Sequence, residues 1–101
     1  MPGDKLVYED FEGLVGSDFT LPGTEESAPV HFTLTSAKPL KFQPPDPEFR
    51  QPFQLLFRVA SQDVYPQGLY QLTHPGLGDQ VFFLVPAAKT EAGVDYCVTF
   101  N

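Results

Sequence analysis

In four stretches of the chain, apolar residues occupy every second position. These are Val30, Phe32 and Leu34; Phe53, Leu55, Phe57 and Val59; Tyr70 and Leu72; and Val94, Tyr96, Val98 and Phe100. A period of two sends successive side chains to opposite faces of an extended backbone, so each stretch predicts a strand with one face toward a core and one toward water. A shorter alternation at Phe19 and Leu21 predicts a further strand. The consecutive apolar run Val81 to Val85 lacks the period and reads as a strand covered on both faces.

Turn formers separate these stretches. Pro22-Gly23, Tyr65-Pro66-Gln67-Gly68 and His74-Pro75-Gly76-Leu77-Gly78-Asp79 predict tight connections, Glu25-Glu26-Ser27 a polar loop tip, and Lys89 to Gly93 a loop before the last strand. Short strands on short turns predict a mainly β fold of about six antiparallel strands, arranged as a small barrel or sandwich. One short N-terminal helix is predicted over about residues 5–14, where Tyr8, Phe11 and Leu14 recur at every third position. Glu9, Asp10 and Glu12 suit the dipole of such a helix, and Gly13 and Gly16 end it.

The chain has 101 residues, enough for a single domain over 1–101 that buries one core without a metal or disulfide. Its lone cysteine, Cys97, excludes an intrachain disulfide. Thirteen acidic against six basic residues give a formal net charge of -7. That balance argues against nucleic-acid binding and against an anionic membrane surface, and it makes any charged partner a basic one. No stretch approaches the roughly 18 apolar residues of a membrane-spanning helix, and no apolar leader follows Met1-Pro2-Gly3-Asp4-Lys5. The expectation is synthesis and folding in the cytoplasm, with export inside an assembly still compatible.

Residues 39–52 hold five of the eleven prolines, which predicts an irregular loop, and Phe42 and Phe49 favour packing of that loop onto the domain. Its Gln43-Pro44-Pro45-Asp46-Pro47 run either presents an extended polyproline segment to a partner or stiffens the loop. The candidate partner-binding residues are therefore Phe42, Pro44, Pro45 and Phe49, together with Phe82 and Leu84 from the apolar run, whose second face a partner chain would cover.

No catalytic residue, metal site or cofactor is predicted. His31 falls on the polar face of its strand, and His74 precedes a Pro-Gly turn whose backbone its ring can bond. Cys97 lies two positions from Asp95, and a nearby carboxylate opposes thiolate formation. The glycines of Gly76-x-Gly78 lack the rest of a phosphate loop.

Several runs resemble a family of small bacterial all-β domains of unknown function. They are Phe11-x-x-Leu14-x-Gly16-x-x-Phe19-x-Leu21, Phe53-x-Leu55-Leu56-Phe57-Arg58 and Pro66-Gln67-Gly68-x-Tyr70-x-Leu72-x-His74-Pro75-x-Leu77-Gly78. Phe83-Leu84-Val85-Pro86 and the closing Tyr96 to Phe100-Asn101 complete the match, which spans nearly the whole chain. Such relatives are associated with phage tail-collar-like fibre proteins. The resemblance thus implies an accessory or structural component of a tail-like or fibre assembly, with a fibre or collar protein as partner. It rests on core and turn residues and carries over no catalytic one. The leading expectation is a non-enzymatic protein-binding or assembly module. The alternatives are a small-ligand or peptide-binding barrel with a Phe-rich interior and, third, a hydrolase built on His74, Asp79 and a distant serine.

Overall fold

A computed structural model describes residues 6–40 and 52–100. The elements in chain order are α1 (Tyr8–Glu12), β1 (Asp18–Leu21), β2 (Val30–Pro39), β3 (Phe53–Val59), β4 (Gly68–His74), β5 (Gly78–Thr90) and β6 (Gly93–Phe100). The six strands are antiparallel and close into a barrel in the order β1-β2-β3-β6-β5-β4. Of the two architectures open to the sequence, the barrel is the one formed. It consists of two three-stranded meanders, β1-β2-β3 and β4-β5-β6, joined along two seams. The β3–β6 seam runs from Phe53 opposite Phe100 to Val59 opposite Val94, whereas β1 meets β4 at Thr20 opposite Thr73.

A barrel of this size has room inside only for side chains. The inward positions are the alternating residues: Phe53, Leu55 and Phe57 of β3, Tyr96 and Val98 of β6, and Phe32 and Leu34 of β2 are all buried. Their rings meet mostly edge to face, as the aromatic quadrupole favours. Phe19 and Phe57 stand 5.2 Å apart between centroids, and Phe32 and Tyr96 5.4 Å.

Each end of the barrel is covered differently. At one end α1 lies across the opening and Phe11, fully buried, inserts among Phe53, Phe100 and Phe82 at 5.7, 5.8 and 6.1 Å between centroids. The Asp10 carboxylate accepts the Val7 N–H at 2.8 Å, satisfying a donor that the first turn leaves unpaired. The helix is shorter than the predicted span, because Gly13 ends it and residues 13–16 continue as turns. Gly16 adopts φ +96°, and its N–H donates to the Leu34 carbonyl, steering the chain into β1.

At the other end, residues 60–67 connect β3 to β4. The Tyr65 N–H donates to the Tyr96 hydroxyl at 2.9 Å, and Gln62 Nε2 donates to the Thr90 carbonyl at 3.0 Å. Gly93, at the β5–β6 turn, has φ +135°, and a Cβ there would run into the Val59 carbonyl oxygen. A side chain at this position has no space and no favourable backbone angle.

Three expectations change. The segment 39–52 is not irregular throughout, since Pro39 ends β2 opposite Phe53 and the Leu40 N–H donates to the Pro52 carbonyl. Strand β5 runs on through Pro86 to Thr90 rather than giving way to a loop at 89–93; a register shift between Pro86 and Ala88 absorbs the missing donor. The run Val81 to Val85 is covered on one face only, with Phe82 and Leu84 inside the barrel and Val81 and Phe83 outside. Among the described residues, no helix is long and apolar enough to cross a membrane.

Candidate functional site

The predicted partner-binding residues separate into two groups. Phe42, Pro44, Pro45 and Phe49 lie outside the described residues. Phe82 and Leu84 are core residues at 1% and 0% exposure, so they are not the face that β5 offers to a partner. The register explains why: Tyr70 opposes Phe82 and Gly68 opposes Leu84, which aligns these positions with the inward face of β4. The pleat then turns Val81 and Phe83 outward.

The outward face of β4 and β5 is where the described surface departs most from a soluble norm. Leu69 is 72% exposed, Val81 57% and Phe83 48%. Leu69 and Phe83 are direct cross-strand partners, and Val81 lies two positions along the same face from Phe83. Val85 continues the face toward Cys97 of β6, its paired position. Apolar side chains placed together in this way form a patch, unlike singly scattered ones. These side chains project outward from the barrel wall, so contact with another molecule through this patch is face to face.

The residues with reactive side chains are engaged elsewhere. His74 does meet a distant serine, Ser17, at 3.0 Å from Nε2 to Oγ. The Gly76 N–H donates to His74 Nδ1 at 2.9 Å, so in the neutral ring the proton sits on Nε2 and points at the serine. The Ser17 hydroxyl in turn donates to the Leu14 carbonyl. This proton order is the reverse of what a general base needs, because the imidazole donates to the hydroxyl instead of accepting from it. The ring also packs on Phe19 at 4.6 Å between centroids. His74 therefore ties the turn after β4 to the α1–β1 connection and to the core. Asp79 does not join it and accepts from Thr73 Oγ1 at 2.6 Å.

His31 sits opposite Thr20 on the outer face, with its Nδ1 3.2 Å from the Thr20 hydroxyl. Cys97 Sγ accepts a hydrogen bond from Gln54 Nε2 at 2.7 Å. Asp95 is held by Arg58 through two contacts, 2.7 Å from Nε and 3.2 Å from Nη2. The hydrogen bond and the charge of Asp95 raise the guanidinium pKa further above its ordinary value. Among the described residues, no group of three or more His, Cys, Asp or Glu side chains is placed to hold a metal ion.

Sequence reasoning missed Leu69, Val81 and Phe83. Leu69 was readable, because Tyr70 and Leu72 point inward and the residue before them must point out. In Val81 to Val85 the inward pair is invisible without the pairing to β4. Comparison with the curated proteins and with the solved structures gives no match. The model of one family matches residues 6–100, from the approach to α1 through the end of β6, and so takes in the whole barrel. The chain belongs to the family described as domain of unknown function DUF6916.

Proposed function

We propose that this chain is a non-enzymatic protein-binding or assembly module, whose contact face is the outer surface of β4 and β5 at Leu69, Val81 and Phe83. The observation that carries this reading is the juxtaposition of those three large apolar side chains on neighbouring strands of a chain with net charge -7. Leaving them in water costs on the order of 25 cal/mol per Å² of apolar surface, a cost that docking removes. The resemblance to domains associated with tail-collar-like fibre proteins supports a fibre or collar protein as the partner, within a tail-like or fibre assembly. The ring-filled interior weighs against the alternative of a ligand held inside the barrel.

The test is calorimetric binding of the chain to any fibre or collar protein found encoded beside it, alongside size-exclusion with light scattering. The expected result is a complex that the Leu69→Lys and Phe83→Lys double variant does not form, while its circular dichroism is unchanged. A chain that remains monomeric and binds no such protein overturns the reading.

A further inference from the structure

The end of the barrel crossed by residues 60–67 carries a second surface, on different strands from the β4–β5 face. Between the start of β2 and the end of β3 there is a notch of about 270 Å³. Its walls are Pro29, Val30, Val59, Ala60 and Tyr65, and His31 and Ser61 contribute its polar edge. A volume below the roughly 300–1,000 Å³ typical of small-molecule sites suits one inserted side chain better than a whole cofactor.

The notch is formed before anything enters it. The Ser61 N–H donates to the Val59 carbonyl at 2.8 Å, the Asp63 N–H to Ser61 Oγ at 3.2 Å, and the Tyr65 N–H to the Tyr96 hydroxyl. Little ordering is therefore left to oppose binding. Val64, next to Tyr65, is 49% exposed and widens the apolar surface at this end.

Charge identifies the occupant. Glu25 and Glu26 stand at the tip of the β1–β2 loop, where the Thr24 N–H donates to the Ser27 carbonyl and Thr24 Oγ1 accepts the Glu26 N–H. Asp63 lies in the covering loop and Glu91 in the β5–β6 turn, and all four acids are exposed. Against them the described residues of this end offer Lys89, while Arg58 is already engaged by Asp95. We propose that the notch docks an extended segment of a partner protein in which one apolar side chain is flanked by basic residues. The apolar side chain enters between Val59 and Tyr65, and the flanking cations face the acids of the loops at this end of the barrel. An acidic segment is repelled, which confers selectivity as well as attraction.

The test is titration of the isotope-labelled full chain with the acetylated, amidated tripeptide Arg-Leu-Arg, followed by amide chemical shifts. Saturable shifts confined to Val30, Val59, Ala60 and Tyr65 are expected, with affinity falling several-fold as salt is raised. The matching Glu-Leu-Glu and Arg-Ser-Arg peptides bind at least about tenfold more weakly. Ala60 is exposed, and Ala60→Arg abolishes the shifts by filling the notch and placing a positive charge at its wall. As an independent variant that leaves the walls intact, Glu25→Lys with Glu26→Lys weakens binding several-fold. Equal binding of Glu-Leu-Glu, shifts confined to the Leu69, Val81 and Phe83 face, or no saturable shift at all overturns the proposal. Because the two surfaces are on different strands, failure here leaves the β4–β5 reading to its own test.

Discussion

At the end of the barrel covered by α1, closure is a matter of rings: Phe11 is surrounded by Phe19, Phe53, Phe82 and Phe100, with Phe53 and Phe100 stacked at 4.5 Å. At the opposite end the closing loop is fastened by directed bonds, from the Tyr65 N–H to the Tyr96 hydroxyl and from Gln62 to the Thr90 carbonyl. The first closure depends on volume, because packed rings tolerate no gap. The second depends on donors and acceptors, so chemistry at one oxygen alters it without any change of shape. The same contrast separates their surfaces, since the bonded end also carries the notch and the loops that bear Glu25, Glu26, Asp63 and Glu91.

The comparison yields graded expectations. Phe11→Ala should be the most damaging, at about 3–5 kcal/mol, because the vacated socket is walled by rings from four directions. Set against the roughly 5–15 kcal/mol that holds a domain of this kind together, that loss brings the barrel close to unfolding. Equilibrium urea denaturation measures it, and a loss under about 1 kcal/mol would show that the helix does not stopper the barrel. At the other end Gly93→Ala should cost about 3 kcal/mol, from the left-handed backbone angle and the approach of the Val59 carbonyl. The same denaturation series checks it.

Tyr96→Phe should cost about 1–2 kcal/mol by leaving the Tyr65 N–H without its acceptor, with faster hydrogen exchange at that amide and little change around Phe11. Alkaline pH probes the same oxygen. Burial pushes the Tyr96 phenol above its ordinary value, more strongly than the Tyr65 N–H lowers it. The folded chain thus keeps a proton that the unfolded chain releases above a pH of about 10. This contribution is intact below that pH and declines as pH climbs toward the folded pKa. Thermal melts should therefore fall less steeply with pH in Tyr96→Phe than in the parent. The smallest effect expected is from Ser17→Ala, about 1 kcal/mol, since it removes the acceptor for His74 Nε2 while the Gly76 bond to the ring remains.

Most of the strands were legible because their period is local. Phe53 to Val59 and Val94 to Phe100 carry their own orientation, and both are inward on alternate residues as read. The pairing of these two strands with each other was not legible, nor was the Thr20–Thr73 contact, because partners that far apart leave no trace in either segment. The choice between barrel and sandwich rests on that missing information. At the candidate site, Val81 to Val85 misled for a related reason: five apolar neighbours contain no phase, and only Tyr70 opposite Phe82 supplies one. His74 was read correctly as bonding the Pro-Gly turn, a contact within two residues. Its bond to Ser17 spans 57 positions and singles out one serine among several, which no spacing rule reaches.

The division of the barrel into two meanders has a kinetic consequence. Each meander forms from neighbouring segments, but both seams join residues far apart in the chain, such as Phe53 with Phe100. Long loops must close before either seam contributes, and loop closure of that kind slows folding. The crossing segment 60–67 is the one link between the halves. A cut or a lengthening there should tell how far the halves find one another by tether and how far by surface. Two chains cut at that point and mixed would measure, as an association rate, what the intact molecule accomplishes as a folding step.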